Sequence, residues 1–297
     1  MSDSTQKEGL LSYHLHRHVA GFRPGRPLER IHASDVTKDD WCSRRHALFA
    51  ASGSGAPDEF IGTAQALAFQ MSSRFAEQLV RWAAGAGIAV GDWACMGCGR
   101  LVIYATRPES CPYCVGEKFR YEEHRFQSKV SGVSGGIDMI FRAPSLQKDR
   151  VVEIKALQKD DFKALKMPLA EHRLRTNLYL RLVEESGDPA AKIIDRRKAT
   201  ILYMTKGGYG ERSKLPSEWG LDDIPYTPFK EFTIERDDGE TGGMSEAAAK
   251  LYAWMKDPGS NPVPDGICAT PYGDIASRCL MRSVCFSGRF PSTGIQK

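Results

Sequence analysis

Apolar residues recur along this chain in two rhythms. From residue 63 to 84, Leu67, Met71, Phe75, Leu79 and Trp82 fall near one face of a helix, at the three-to-four-residue spacing of a helix that packs by one side. Residues 39–51 carry a shorter helical pattern around Cys42. From 119 to 130 the rhythm shortens to alternation, with Phe119 and Tyr121 in phase, which suits a half-buried strand. Two more apolar runs, 135–141 and 150–155, flank Ala143-Pro144-Ser145 and read as strands paired across that turn. Pro168 stands where proline is tolerated, in the first turn of a helix that runs to about Glu185. Strands are expected at 199–205 and 229–235, and a last helix at 245–256, capped by Ser245 with an alanine-rich stretch behind it. Residues 1–40 are expected to be mostly irregular and basic. The order is helix, three strands, helix, strand, an α/β chain without internal repeats.

Composition sets bounds on this picture. A chain of 297 residues with 41% hydrophobic content can bury one large core or two smaller ones. The net charge of +4 is compatible with a polyanionic partner without being diagnostic of one. The bases are unevenly placed: residues 14–30 hold three His and four Arg, and residues 155–175 hold four Lys and two Arg. No apolar run is long enough for a bilayer, and the polar start has no signal-peptide core. The expectation is a soluble cytoplasmic protein that engages no membrane, in the host cytoplasm if the chain is viral. In a reducing compartment, its eight cysteines argue for metal sites over disulfides.

Cys95-Met-Gly-Cys98 and Cys111-Pro-Tyr-Cys114 form two Cys-x-x-Cys knuckles a short loop apart. Four thiolates at that spacing close a tetrahedral zinc site, with Gly97, Gly99 and Pro112 allowing the tight turns. Such a ribbon can touch DNA, bind a partner, or staple a segment too small for a core of its own.

The strand at 150–155 places Glu153 and Lys155 two residues apart, so both project from one face while Val152 and Ile154 point away. If the strands pair across the turn, Asp138 reaches the same pocket. Converging carboxylates repel unless a hard cation sits between them, and magnesium or manganese suits such a site. Lys155 beside it can orient an attacking water. A surface strand that ends in alternating charges is the plainer reading of the same residues.

Asp138 and Glu153-Ile154-Lys155 resemble the Asp and E-x-K motifs of the PD-(D/E)xK nuclease superfamily. Residues 171–180, with Arg175 and Tyr179 one turn apart, resemble the Q-x-x-x-Y motif of its RecB-like branch, with Arg in place of Gln. Trp41-Cys42-Ser43-Arg44-Arg45-His46 resembles the first-cysteine motif of the iron–sulfur members of that branch, which include CRISPR-associated spacer-acquisition nucleases. Cys279 and Cys285 match the last pair of that pattern, and Cys268 stands earlier than usual, Ala276 occupying the expected position. The resemblance implies a 4Fe–4S cluster on Cys42, Cys268, Cys279 and Cys285; zinc, or four unconnected cysteines, are the alternatives. Gly62-Thr63-Ala64-Gln65-Ala66 departs from the Gly-Thr-x-x-His of many relatives, with Ala66 where a metal-ligating His would stand. Glu77, eleven residues on, lies about 16 Å further along a helix.

The resemblance covers residues 41–286 and implies a restriction-endonuclease-like αβββαβ core, a mixed central sheet flanked by helices with an inserted zinc ribbon. The division expected is a basic segment 1–40, a core at 41–94 and 116–260, the ribbon at 95–115, and a cysteine-cluster segment at 261–297. Asp138, Glu153 and the Ile154 carbonyl would hold magnesium or manganese, with Lys155 acting on the water. Arg175 and Tyr179 would meet DNA. The activity implied is a metal-dependent DNA exonuclease acting on ends or single strands, alongside recombination, repair or replication proteins. The alternative is a catalytically inactive DNA-binding module with the same fold.

Overall fold

The structure is a computed structural model that describes residues 10–23, 25–53, 57–207 and 228–287. The N-terminal part runs α1 (Leu10–Val19), β1 (Gly21–Arg23), β2 (Ile31–His32), α2 (Ala33–Val36), α3 (Ser43–Ser52), β3 (Glu59–Ile61) and α4 (Thr63–Gly85). Strands β4 (Ala89–Cys95), β5 (Leu101–Thr106), β6 (Phe119–Glu122), β7 (His124–Gln127), β8 (Val133–Ile137), β9 (Met139–Phe141) and β10 (Asp149–Leu157) follow. The rest is α5 (Lys159–Ala164), α6 (Ala170–Ser186), β11 (Ile194–Thr205), β12 (Phe229–Glu235), α7 (Asp238–Lys256), α8 (Asp274–Ser277) and α9 (Arg282–Ser287).

A seven-stranded sheet runs β12-β11-β10-β9-β4-β5, with β6 also on β4. Strands β10 and β11 are parallel and the other pairs antiparallel, so the sheet is mixed, as expected. The parallel pair needs a crossover, and α6 supplies it. Strands β9 and β10 do pair across the turn at Ala143, with Val152 opposite Met139 and Leu146 N–H closing on the Ala143 carbonyl at 3.0 Å. Alternation along β10 divides two cores. Val152 and Ile154 join Leu79 and Val80 of α4, while Val151 joins Leu178, Tyr179 and Leu182 of α6 on the opposite face.

Four expectations need correction. Residues 119–130 do not form one strand: the chain leaves the central sheet after Glu122 and enters a second sheet, β2-β8-β7, at His124. Helix α4 buries only part of the expected face: Leu79 is buried and Phe75 packs on the same core, whereas Leu67, Met71 and Trp82 are 54%, 41% and 58% exposed and Ala66 and Val80 are buried instead. Helix α7 begins at Asp238, well before Ser245, because the Asp237 side chain accepts from Gly239 N and carries the helix through three glycines. The described part of residues 1–40 is not irregular: β2 pairs in parallel with β8, and Ile31, Ala33 and Val36 are core residues hidden in a basic composition. Residues 1–9 of that segment and 288–297 of the C-terminal one lie outside the described residues.

The ribbon is an outgrowth of the sheet. Cys95 ends β4, the strand next to β9, and β5 and β6 flank it on either side. Tyr104 of β5 donates to Asp149, the first residue of β10, at 2.8 Å, and Arg142 grips the same carboxylate with two nitrogens at 2.9 and 2.6 Å. Among the described residues, no helix is long and apolar enough to cross a membrane.

Candidate functional site

Asp138 occupies the bend between β8 and β9. Its carboxylate accepts from the Ile154 backbone N–H at 2.7 Å, a charge-assisted bond that pins the bend to the middle of β10. Glu153 is 1% exposed on the α6 face of the sheet. One of its oxygens is ion-paired with Lys155 and lies 3.9 Å from Arg175 of α6. The other, Oε2, is buried with no hydrogen-bond partner. An orphaned carboxylate oxygen is costly, and a cation is one partner that would satisfy it. Burial, then the Asp138 charge, raises the Glu153 carboxyl above the usual range, against the pull of Lys155. Burial disfavours the Lys155 ammonium, but Glu153 and Asp138 outweigh it and hold the lysine charged.

Tyr179, one turn from Arg175, is 7% exposed. A Cβ on Gly135 would lie 2.6 Å from its ring, so the glycine gives the ring its place. Burial, followed by the Glu153 and Asp138 charges, keeps its hydroxyl protonated. Ala66 is buried, and Glu77 is exposed and paired with Arg74 at 2.9 Å.

One acid near the site was not anticipated. Glu123 is the residue between β6 and β7, and the charges that act on it include Asp138, Arg125 and Lys155. The signal for it was a slip of phase: Phe119 and Tyr121 face inward on odd positions, His124 and Phe126 on even ones.

The ribbon cysteines fit zinc. Four thiolates about 2.3 Å from one ion stand about 3.8 Å apart; here Cys95 and Cys114 are 3.5 Å apart, Cys98 and Cys111 3.8 Å, and all four lie within 4.8 Å of one another. Both knuckles turn alike, with Gly99 N–H on the Cys95 carbonyl and Val115 N–H on the Cys111 carbonyl. Gly99 and Val115 have φ of 73° and 55°, the left-handed region that suits glycine and strains valine.

Cys42, Cys268, Cys279 and Cys285 line one small cavity, together with Ala276. Cys42 caps α3, accepting from Arg45 N at 3.4 Å, a step before the helix that was expected to contain it. Ser43 and Arg44 bond the carbonyls of Asp265 and Pro264 at 3.0 and 2.8 Å, which fastens the two distant segments together. These thiols are set wider than those of the ribbon, outside the 4.8 Å closure.

No family model and no curated protein sequence matches the chain. Among solved structures it is similar to LHK-Exo in complex with dAMP, at 13% identity over 77% of this chain and 89% of that one, with a TM-score of 0.40.

Proposed function

We propose that this chain is a metal-dependent DNA nuclease of the iron–sulfur RecB-like kind, an exonuclease acting on DNA ends or single strands. The observation that carries the reading is the buried, unpartnered Oε2 of Glu153 beside Lys155 and within reach of the Asp138 charge. Asp138, Glu153 and the Ile154 carbonyl would hold magnesium or manganese, which when bound supplies an acidified water and stabilises charge on the phosphoryl oxygens. Lys155 orients the nucleophile and, paired with Glu153, keeps the strand acids from repelling each other. Arg175 takes a substrate phosphate, for which its planar fork is suited, and Tyr179 meets the sugar or base. Cys95, Cys98, Cys111 and Cys114 would hold zinc, a structural staple. Cys42, Cys268, Cys279 and Cys285 would hold a 4Fe–4S cluster, and each need reach only one iron.

The test is incubation of anaerobically purified protein with end-labelled single- and double-stranded DNA and magnesium or manganese. Loss of the label as mononucleotides, abolished by chelator, supports the reading. Tight DNA binding without cleavage under any of these conditions would favour the inactive module, which the buried Ala66 already favours in part.

A further inference from the structure

Helix α6 turns His172, Arg175 and Tyr179 to one side, at spacings of three and four residues. His172 is 8% exposed, and its Nδ1 lies 2.9 Å from the hydroxyl of Tyr203. Tyr203 is the residue of β11 that pairs with Lys155 of β10, and its ring belongs to the core on the α6 face. Its hydroxyl also accepts from the Leu169 backbone N–H at 3.0 Å, at the start of α6. Tyr203 is fully buried, so no water takes its proton. Among the described residues, His172 Nδ1 is the one hydrogen-bond acceptor beside that hydroxyl. Were the imidazole to donate from Nδ1 instead, the hydroxyl would accept twice and have nowhere to send its own proton, the costly state of a buried donor. The hydroxyl therefore donates, Nδ1 accepts, and the imidazole carries its proton on Nε2. Burial, then the Lys155 and Arg175 charges, push the imidazole pKa down to about 3, so the ring is neutral. Nε2 stands 3.2 Å from Glu171 Oε1, on a side chain that is 68% exposed. Arg175 has a spare donor of its own: its Nε is buried without a hydrogen-bond partner, and its Nη1 is 3.9 Å from Glu153. Two N–H groups on one helical face thus lack a buried acceptor, and an anion would satisfy both.

We propose that His172 is a second donor to the substrate phosphate taken by Arg175, an uncharged N–H whose tautomer Tyr203 sets. This rests on the nuclease reading above. A phosphate oxygen between the two residues would accept from Arg175 Nε and His172 Nε2, displacing the Glu171 carboxylate to water. An uncharged donor adds a directed hydrogen bond without crowding a third cation against Lys155 and Arg175. It also stays a donor of one kind across the neutral pH range, where an ordinary histidine titrates. Tyr203 is a positioning residue, which acts through His172.

The experiment measures binding of full-length protein to a fluorescent single-stranded oligonucleotide over a series of salt concentrations, with magnesium and manganese omitted so that none is cleaved. Wild type, His172→Phe, His172→Gln, Arg175→Gln and Tyr203→Phe are compared, with zinc content and circular dichroism as checks on folding. His172→Phe should weaken binding about tenfold at every salt concentration. The slope of log affinity against log salt should stay as in wild type, since no charge is lost. Arg175→Gln should flatten that slope by about one phosphate contact. His172→Gln, which keeps a donor, should recover part of the loss. Long-range ¹⁵N–¹H spectra of histidine-labelled protein, with the His172 signals identified from His172→Gln, should show the Nε2–H tautomer between about pH 5 and 8. Tyr203→Phe should lose that preference. Unchanged binding by His172→Phe, or a slope as flat as that of Arg175→Gln, would overturn the proposal, the second by making His172 a support for Arg175 alone. An Nδ1–H tautomer, or titration within that range, would overturn it as well, and all of these leave the nuclease reading standing. If wild type neither binds the oligonucleotide nor cleaves DNA when magnesium or manganese is added, the nuclease reading fails and takes this proposal with it.

Discussion

Each of the three strand residues has a separate energetic signature. Asp138→Asn, Glu153→Gln and Lys155→Ala should each reduce cleavage by at least about a hundredfold, read from initial rates on end-labelled DNA. Their stabilities should differ. Glu153→Gln leaves the Lys155 ammonium with the Asp138 charge as compensation and should lower the denaturant midpoint less than Lys155→Ala does. Lys155→Ala strands the buried Glu153 charge, with only Arg175 nearby at 3.9 Å, and should cost about 3 kcal/mol. Equal cleavage by all three variants would mean the site lies elsewhere. The pairing of Glu153 with Lys155 was legible because a strand has a period of two, and the turn at Ala143 fixed where Asp138 would fall. Glu123 was not legible in the same way. Its place depends on a slip between two sheets, and alternation counted through residues 119–130 conceals that slip.

At the scale of elements, the apolar runs after the crossover helix are strands as expected, whereas alternation over residues 119–130 conceals a change of sheet. Residues 229–235 form the expected strand, and 199–205 is the buried part of a longer one. Strand β4 is hidden in the sequence because it ends in a cysteine knuckle, whose spacing draws a boundary that Val90 and Trp93 cross. Helix α7 was truncated in the reading because Gly239, Gly242 and Gly243 argue against a helix, and the Asp237 cap overrides them. The ribbon makes its own prediction. Purified protein should contain about one zinc per chain in the ribbon, and Cys95→Ser or Cys111→Ser should lose it, since a site short of one thiolate binds far more weakly. Elemental analysis with a thiol-release assay checks this. Near-integral zinc in the Cys95→Ser, Cys111→Ser double variant would falsify the assignment.

At the scale of the whole molecule, cysteines far apart in sequence meet as well as strands. Cys42 precedes the central sheet and Cys279 and Cys285 follow it, more than two hundred residues away, yet they line one cavity. Joining them through one cluster would restrict the unfolded chain much as a long-loop cross-link does, by a few kcal/mol. Anaerobic protein should be brown, absorbing broadly near ~400 nm. Cys42→Ser should bleach it, lower the denaturant midpoint, and leave the ribbon zinc in place. A colourless, iron-free preparation would remove the cluster from the account. This closure could be anticipated only through the resemblance, since no local pattern links residue 42 to residue 268. The α/β class, by contrast, followed from the order of rhythms, while the mixed sheet was implied by the resemblance.

The way the ribbon grows from β4 limits how far this protein could be made smaller. Residues 96–118 look dispensable as a loop, and a protein engineer would cut there first. Beyond its short pairing with β9, however, β4 has β5 along one edge and β6 along the other. Excising the loop with β5 would bare backbone that now carries Trp93, Ala94 and Cys95 in the buried interior. A bare apolar edge recruits the edge of another chain. The shortened protein should therefore come out as insoluble aggregate or as edge-paired oligomers on size-exclusion chromatography. A soluble, monomeric deletion variant would show that the sheet ends at β9 as far as stability is concerned.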